Sequence, residues 1–254
     1  MKGYLAFTKK EFTEQLRTFK WLIVFSVFFV FGMMSPLLAK LMPEIFAGMK
    51  MQGMEFIIPE PTVMDAYGQF FKNISQMGIF VILLVFGGMI SNELTKGTLI
   101  NVLAKGLPRH TVILSKYTAA VVLWTAGYLL AVATTYGYTT YLFDNLVVEN
   151  LAFSLFCLWL FVCFLLSLII LSSTIATGNF GGLILSGAAL LLMLMLNIFP
   201  KAEKFNPITL ASKNMALLLG EQQVSDLMVT VWVTCVLTIG CLVISIVLFN
   251  KKKL

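Results

Sequence analysis

The sequence predicts an all-α integral membrane protein with six transmembrane helices. Three observations carry this: the composition, a set of long uncharged stretches, and the partition of charge between them. Of 254 residues, 59% are hydrophobic and only 12% charged, and the mean hydropathy is +0.92. Soluble domains are nearer half apolar and a quarter charged. A soluble enzyme, a disordered regulator and a nucleic-acid-binding domain are thereby excluded. The net charge of +6 belongs to cytoplasmic loops, where membrane proteins collect Lys and Arg.

No charged residue occurs in 21–39, 73–92, 117–143, 150–200 or 227–250. A helix crossing the hydrocarbon core needs about 20 residues. The stretch 150–200 is too long for one crossing and is broken by Thr177-Gly178-Asn179-Phe180-Gly181-Gly182, a cluster of turn formers. Spans are therefore expected at about 21–41, 72–92, 116–142, 151–176, 181–199 and 227–249, in a single transmembrane domain over 1–254. The first is expected to be retained, because its apolar stretch is longer than that of a cleaved leader and no small-x-small motif precedes Lys40 and Pro43. Pro36 is expected to kink or end it.

Six crossings put both termini on one side. With the N-terminus inside, cytoplasmic segments carry 12 of the 18 Lys and Arg and only Glu11, Glu14 and Glu93 among the 12 acids. This partition predicts N-in and C-in.

Three segments are expected to lie at the membrane surfaces. In residues 1–20, Leu5, Phe12, Leu16 and Phe19 fall within an arc of about 60°, with Lys10, Glu11, Glu14 and Arg17 opposite, which describes an interfacial amphipathic helix. The loop Ser91–Lys116 offers Thr98 as N-cap and Gly106 as a left-handed stop. Leu99, Val102 and Leu103 make an apolar face between them, and Pro108 suits the start of the next helix. A short capped helix at this face is a ready ball for a socket on another protein. Outside, Asn206-Pro207 starts and Gly220 stops a helix too apolar for a solvated loop, so it is expected on or in the outer leaflet.

Other chemistry is missing. There is no GxxxxGK[ST], no HExxH and no GxSxG, and His110 is the single histidine. Cys157, Cys163, Cys235 and Cys241 lie inside apolar runs and read as small buried residues. Met42, Met49, Met51, Met54 and Met64 are interleaved with Phe and Ile, which favours a surface-lying apolar segment over a copper site. No ionisable residue falls mid-span, which argues against a self-powered carrier. An intramembrane enzyme would have only Glu93, Arg109 and His110 to work with.

Glu93-Leu94-Thr95-Lys96-Gly97-Thr98-Leu99, then Leu103-Ala104, Pro108-Arg109 and Ser115-Lys116, resembles the E-x-x-x-G-T-L, short cytoplasmic helix and P-x-x-x-hydrophobic-x-x-K pattern of the ABC-2-type (ABC type 2) transporter permeases. The six-span layout, the N-terminal interfacial helix and the outer helix before the last span are similar too. The resemblance implies a compact permease subunit in a multi-pass position in the plasma membrane, the cytoplasmic membrane of a bacterium. It implies a second permease chain (homodimer or paralogue) and two copies of a separate ABC ATPase that binds ATP-Mg. The permease itself then binds no cofactor or metal, is not an enzyme, and exports a substrate through a pathway in the bilayer. The family's coupling helix maps onto about Leu94 to Lys105, with Glu93, Gly97, Thr98, Leu99, Val102 and Leu103 as the expected ATPase-coupling contact. The other function that fits is a non-transporting immunity or sensor complex for antimicrobial peptides.

Overall fold

The computed structural model describes residues 2–48, 60–104, 106–143, 148–176, 178 and 180–252. Among these the secondary structure is entirely helical. Helix α1 (Lys2–Arg17) lies ahead of α2 (Lys20–Gly48). The second long element is α3 (Val63–Asn73), a π-helical turn (Ile74–Gly78) and α4 (Ile79–Phe86) in one continuous rod. Two short helices follow, α5 (Ser91–Thr95) and α6 (Thr98–Ala104), before α7 (Arg109–Leu142) and α8 (Leu151–Ile175). Helix α9 (Gly181–Leu196) leads to α10 (Pro200–Glu203), α11 (Thr209–Ser212) and α12 (Asn214–Leu218), and α13 (Val224–Lys251) closes the chain.

Among the described residues five helices are long and apolar enough to cross a membrane: Lys20–Ile45, Val63–Thr95, Arg109–Leu142, Leu151–Ile175 and Val224–Lys251. The sixth stretch, expected at 181–199, forms only the 16 residues of α9, about 24 Å of helix. It stops there because Asn197 turns away to bond Thr209 and Pro200 starts a new helix.

Sequence character decides which helix sits where. Helix α8 is apolar on all sides and is buried over most of its length, as a helix without an amphipathic face must be. It packs against α13, α9, α7, α11 and α12. Helix α9 buries only Gly182 and Ser186, and α13 exposes Trp232, Val236 and Ile239. In a bilayer such faces meet lipid without penalty. Trp124 stacks on Tyr128, and Phe28 and Phe70 meet this pair from α2 and α3.

Pro36 does not end its helix: α2 runs on through Pro36 and Pro43 to Gly48. Proline at 36 frees the carbonyl of Gly32 four residues earlier. Thr135 Oγ1 on α7 donates to that carbonyl at 3.1 Å, so the orphaned acceptor is satisfied inside the bundle. A side chain at Gly32 would collide with Thr134 and Ala131, so the same glycine lets α2 and α7 approach.

The outer helix expected from Asn206-Pro207 and Gly220 is two short helices. Its signals hold: Asn206 Oδ1 accepts from the Ile208 amide, and Gly220 is left-handed with φ 74°. These helices bury Thr209, Leu210, Ala211, Asn214, Leu217 and Leu218 against α8, α3 and α13. They form a plug among the spans. Most of the methionine-rich segment, including Met49, Met51 and Met54, lies outside the described residues.

Candidate functional site

The C-terminal end of the second long element is interrupted by a turn. After α4 the chain turns through Gly87, Gly88, Met89 and Ile90. A side chain at Gly182 would strike the Gly87 carbonyl, and one at Gly87 would strike Leu183, so paired glycines bring α4 and α9 into backbone contact. Ser173 Oγ on α8 then accepts the amides of Ile90 and Ser91 at 2.9 and 2.8 Å. Free amides at a helix start need such a partner, and here it comes from another span.

Beyond this cap, α5 presents Glu93. Its carboxylate turns inward and is buried, and Lys116 Nζ donates to Glu93 Oε1 at 2.8 Å and to Glu11 Oε2 at 2.9 Å. Lys116 is 1% exposed and Glu11 4%. Lys10 Nζ completes the cluster, 2.6 Å from Glu14, 3.0 Å from Glu11 and 3.3 Å from Glu93. One ion network thus ties α1, α5 and α7 together. An ammonium this buried is tolerated only with paired charges and good geometry.

Carboxylate oxygens of Glu11, Glu14 and Glu93 lie within 4.8 Å of one another, a spacing that could hold a cation. The ammonium groups of Lys10 and Lys116 occupy that role. Burial alone would lower the Lys10 pKa, but the hydrogen bond to Glu14 and the charges of Glu11 and Glu93 outweigh it and raise it. Burial alone would raise Glu14, but its hydrogen bond to Lys10, with the charges of Lys10, Lys116 and Lys20, holds it below the ordinary carboxylate value.

Helix α1 docks by a face that its apolar stripe does not announce. Tyr4, Phe7, Thr8, Glu11 and Gln15 face the protein, whereas Leu5, Leu16 and Phe19 are exposed. At 100° per residue the two stripes are centred roughly 100° apart, with Lys9, Lys10, Thr13 and Arg17 on the third side. The helix therefore has a face against the protein, an exposed apolar face and an exposed polar face. Tyr4 Oη bonds Thr118 at 2.7 Å and Thr8 Oγ1 donates to Ser115 at 3.0 Å.

The expected contact residues divide by burial. Glu93 and Leu99 are buried, and Val102 and Leu103 are half-buried against the core. Gly97 makes the left-handed turn between α5 and α6 with φ 68°. Thr98 is the first residue of α6, and its hydroxyl donates back to the Glu93 carbonyl at 3.3 Å. Gly106 is left-handed as expected, φ 85°. Among the described residues of α5 and α6 and the turn between them, Asn92, Thr95, Lys96, Thr98 and Ala104 are exposed.

Sequence reasoning missed the partners of Glu93. One signal was available: Glu11, Glu14 and Glu93 are the only acids in the segments assigned to the cytoplasm, and all three converge. The Pro108-Arg109 pair has a structural task too. Arg109 Nη1 donates to the carbonyls of Phe249, Asn250 and Lys252, capping the end of α13, and Lys252 Nζ donates to Thr174 at the end of α8.

The family model for "ABC-2 family transporter protein" matches residues 5–254. The chain belongs to the ABC-2 transporter family. It is a multi-pass membrane protein, the permease component of an ABC transporter, and its family implies an ATPase partner. ABC-2 membrane components are generally without a nucleotide-binding site of their own. No curated protein matches this chain. In this ABC-2 permease, the motif residues Glu93 and Lys116 bond each other.

Proposed function

We propose that this ABC-2 permease works in the bacterial cytoplasmic membrane as one of two permease chains above two copies of an ABC ATPase, and that it exports a substrate. ATP-Mg is bound and hydrolysed in the ATPase. The proposed topology has six crossings, N-in and C-in, with α9 as the short fifth crossing and the α10–α12 plug on the outer side. The positive-inside partition supports it.

The observation that carries the mechanism is the buried Glu93–Lys116–Glu11 cluster. The ATPase contact is Glu93 to Leu103, with Thr95, Lys96 and Thr98 as its exposed part and Gly97, Leu99, Val102 and Leu103 setting the shape behind them. A push on α5–α6 cannot be absorbed locally, because Glu93 is bonded to the third span and to α1, and Ser173 holds the same segment to the fourth. ATPase closure would therefore move α1 and the spans as a unit.

Purification from native membranes in mild detergent tests the proposal. The expected result is an ATPase at equal stoichiometry and ATP-dependent transport once the complex is in vesicles. Nucleotide hydrolysis by the purified chain alone, or labelling of the Lys96 region from outside intact cells, would contradict it.

A further inference from the structure

The outer half of the second span forms a cavity of about 740 Å³ with α9 and the α11–α12 plug, a size that holds a drug-sized ligand. Its span-side wall runs from Lys72 through Gln76 and the π-helical turn to Leu83. That is about 16 Å at helical rise, from the outer headgroup level to near the middle of a hydrocarbon core of about 30 Å. Away from Lys72 the wall is apolar, lined by Leu83 and Leu191.

The upper end is polar. Lys72 is exposed and has no carboxylate within salt-bridge distance among the described residues, and the neighbouring Asp65 is engaged by Thr62. Asn214, almost fully buried in the wall, has an Oδ1 with no partner among the described residues. Gly187 faces the space, and an added Cβ there meets nothing within 4 Å. An ammonium above an apolar slot selects a molecule with an anionic head and a long chain.

The geometry points to this cavity as a binding site for an amphiphile with one anionic head and one alkyl chain, the head at Lys72 and the chain along Leu83 and Leu191. As a substrate class the assignment rests on the transport reading. As a binding site it stands without it.

The test uses the full chain in nanodiscs of phosphatidylcholine and three photoreactive probes: a long-chain fatty acid, the matching alkyl-trimethylammonium, and phosphatidylcholine itself. The expected result is that the fatty acid labels the peptides of Leu83 and Leu191 more strongly than the other two. Gly187→Trp, which fills the open space, should lower that labelling about tenfold, a change of about 1.4 kcal/mol, whereas Gly187→Ala keeps it. Lys72→Gln should remove the preference for the anion. Labelling unchanged by Gly187→Trp, equal labelling by all three probes, or Gly187→Cys disulfide dimers between two copies would each overturn the site. If the ATPase copurifies and labelling fails, only this inference falls. If labelling holds and no ATPase copurifies, the site stands and the transport reading falls.

Discussion

Lys116 on α7 places its ammonium 2.8 Å from the carboxylate of Glu93 and 2.9 Å from that of Glu11. It thereby joins α5, at the end of the second span, to the N-terminal helix α1. Lys116 is buried, so water and salt screen its pairs much less than they would at the surface. The consequences are energetic first and mechanical second.

Lys116→Ala takes the buried ammonium away from Glu11 and Glu93 and leaves them only the partly exposed Lys10. Removing one side of a buried ion pair costs about 3–5 kcal/mol, and detergent-phase unfolding should register a loss of that order. The triple change Glu11→Gln, Glu93→Gln and Lys116→Met should recover most of it, because a neutral packed site needs no counter-charge. Failure of the triple variant to recover would mean that Lys116 acts mainly by filling space.

Thr135→Val leaves the Gly32 carbonyl without its donor beneath Pro36. An unmet buried acceptor costs about 1–3 kcal/mol. Pro36→Ala restores the backbone donor, so Thr135→Val should be nearly neutral in that background. A double-mutant cycle without coupling would disprove this account of why α2 continues.

Ser173→Ala removes the cap on the Ile90 and Ser91 amides. The expected effect is about 1–2 kcal/mol, read as faster hydrogen exchange at those two amides with the middle of α8 unchanged. Uniform acceleration along α8 would show a packing role instead.

Acid should loosen α1 before the bundle. The Glu14 pKa is held below its ordinary 4.5, so its contribution is present above that value and is lost as pH falls through the lower folded value. Lys10 is raised above 10.5, so its contribution is full below 10.5 and is lost only in stronger alkali. Hydrogen exchange of the α1 amides should therefore be insensitive to these two groups at neutral pH and speed up on acidification below about 4.5. Glu14→Gln should remove the Glu14 share of that acid step, and an undiminished step would place it elsewhere.

Much of the bundle was legible because spans are written in local composition. Trp21 to Ala39 and Leu151 to Ile175 are apolar enough to be read alone, and Gly106 and Gly220 mark the left-handed stops they were expected to mark. The unbroken α2 was not legible, because the group that rescues Pro36 is Thr135, about a hundred residues away. The end of α9 depends on Asn197 meeting Thr209 at the start of α11. At the site, the motif placed Glu93 and Lys116 but not their bond. The docking face of α1 was hidden because its polar residues, chiefly Glu11, point into protein, while a stripe of Leu and Phe is exposed.

The buried position of Leu99 separates folding from contact. Leu99→Asp should destabilise the chain outright, since it puts a charge where the leucine is 1% exposed. Lys96→Glu, on the exposed turn, should leave unfolding unchanged and weaken ATPase copurification several-fold. Normal copurification with Lys96→Glu would move the ATPase contact away from this turn.

The joint itself is tested most directly by a distance. Spin labels at Met77 and Trp232, both exposed, can be placed in a chain whose four cysteines are replaced by Ala and reconstituted with its ATPase. ATP with vanadate should change their separation in the parent chain and leave it unchanged in Lys116→Met, although the ATPase stays bound and hydrolyses ATP. The same distance change in both would contradict transmission through the Lys116 cluster.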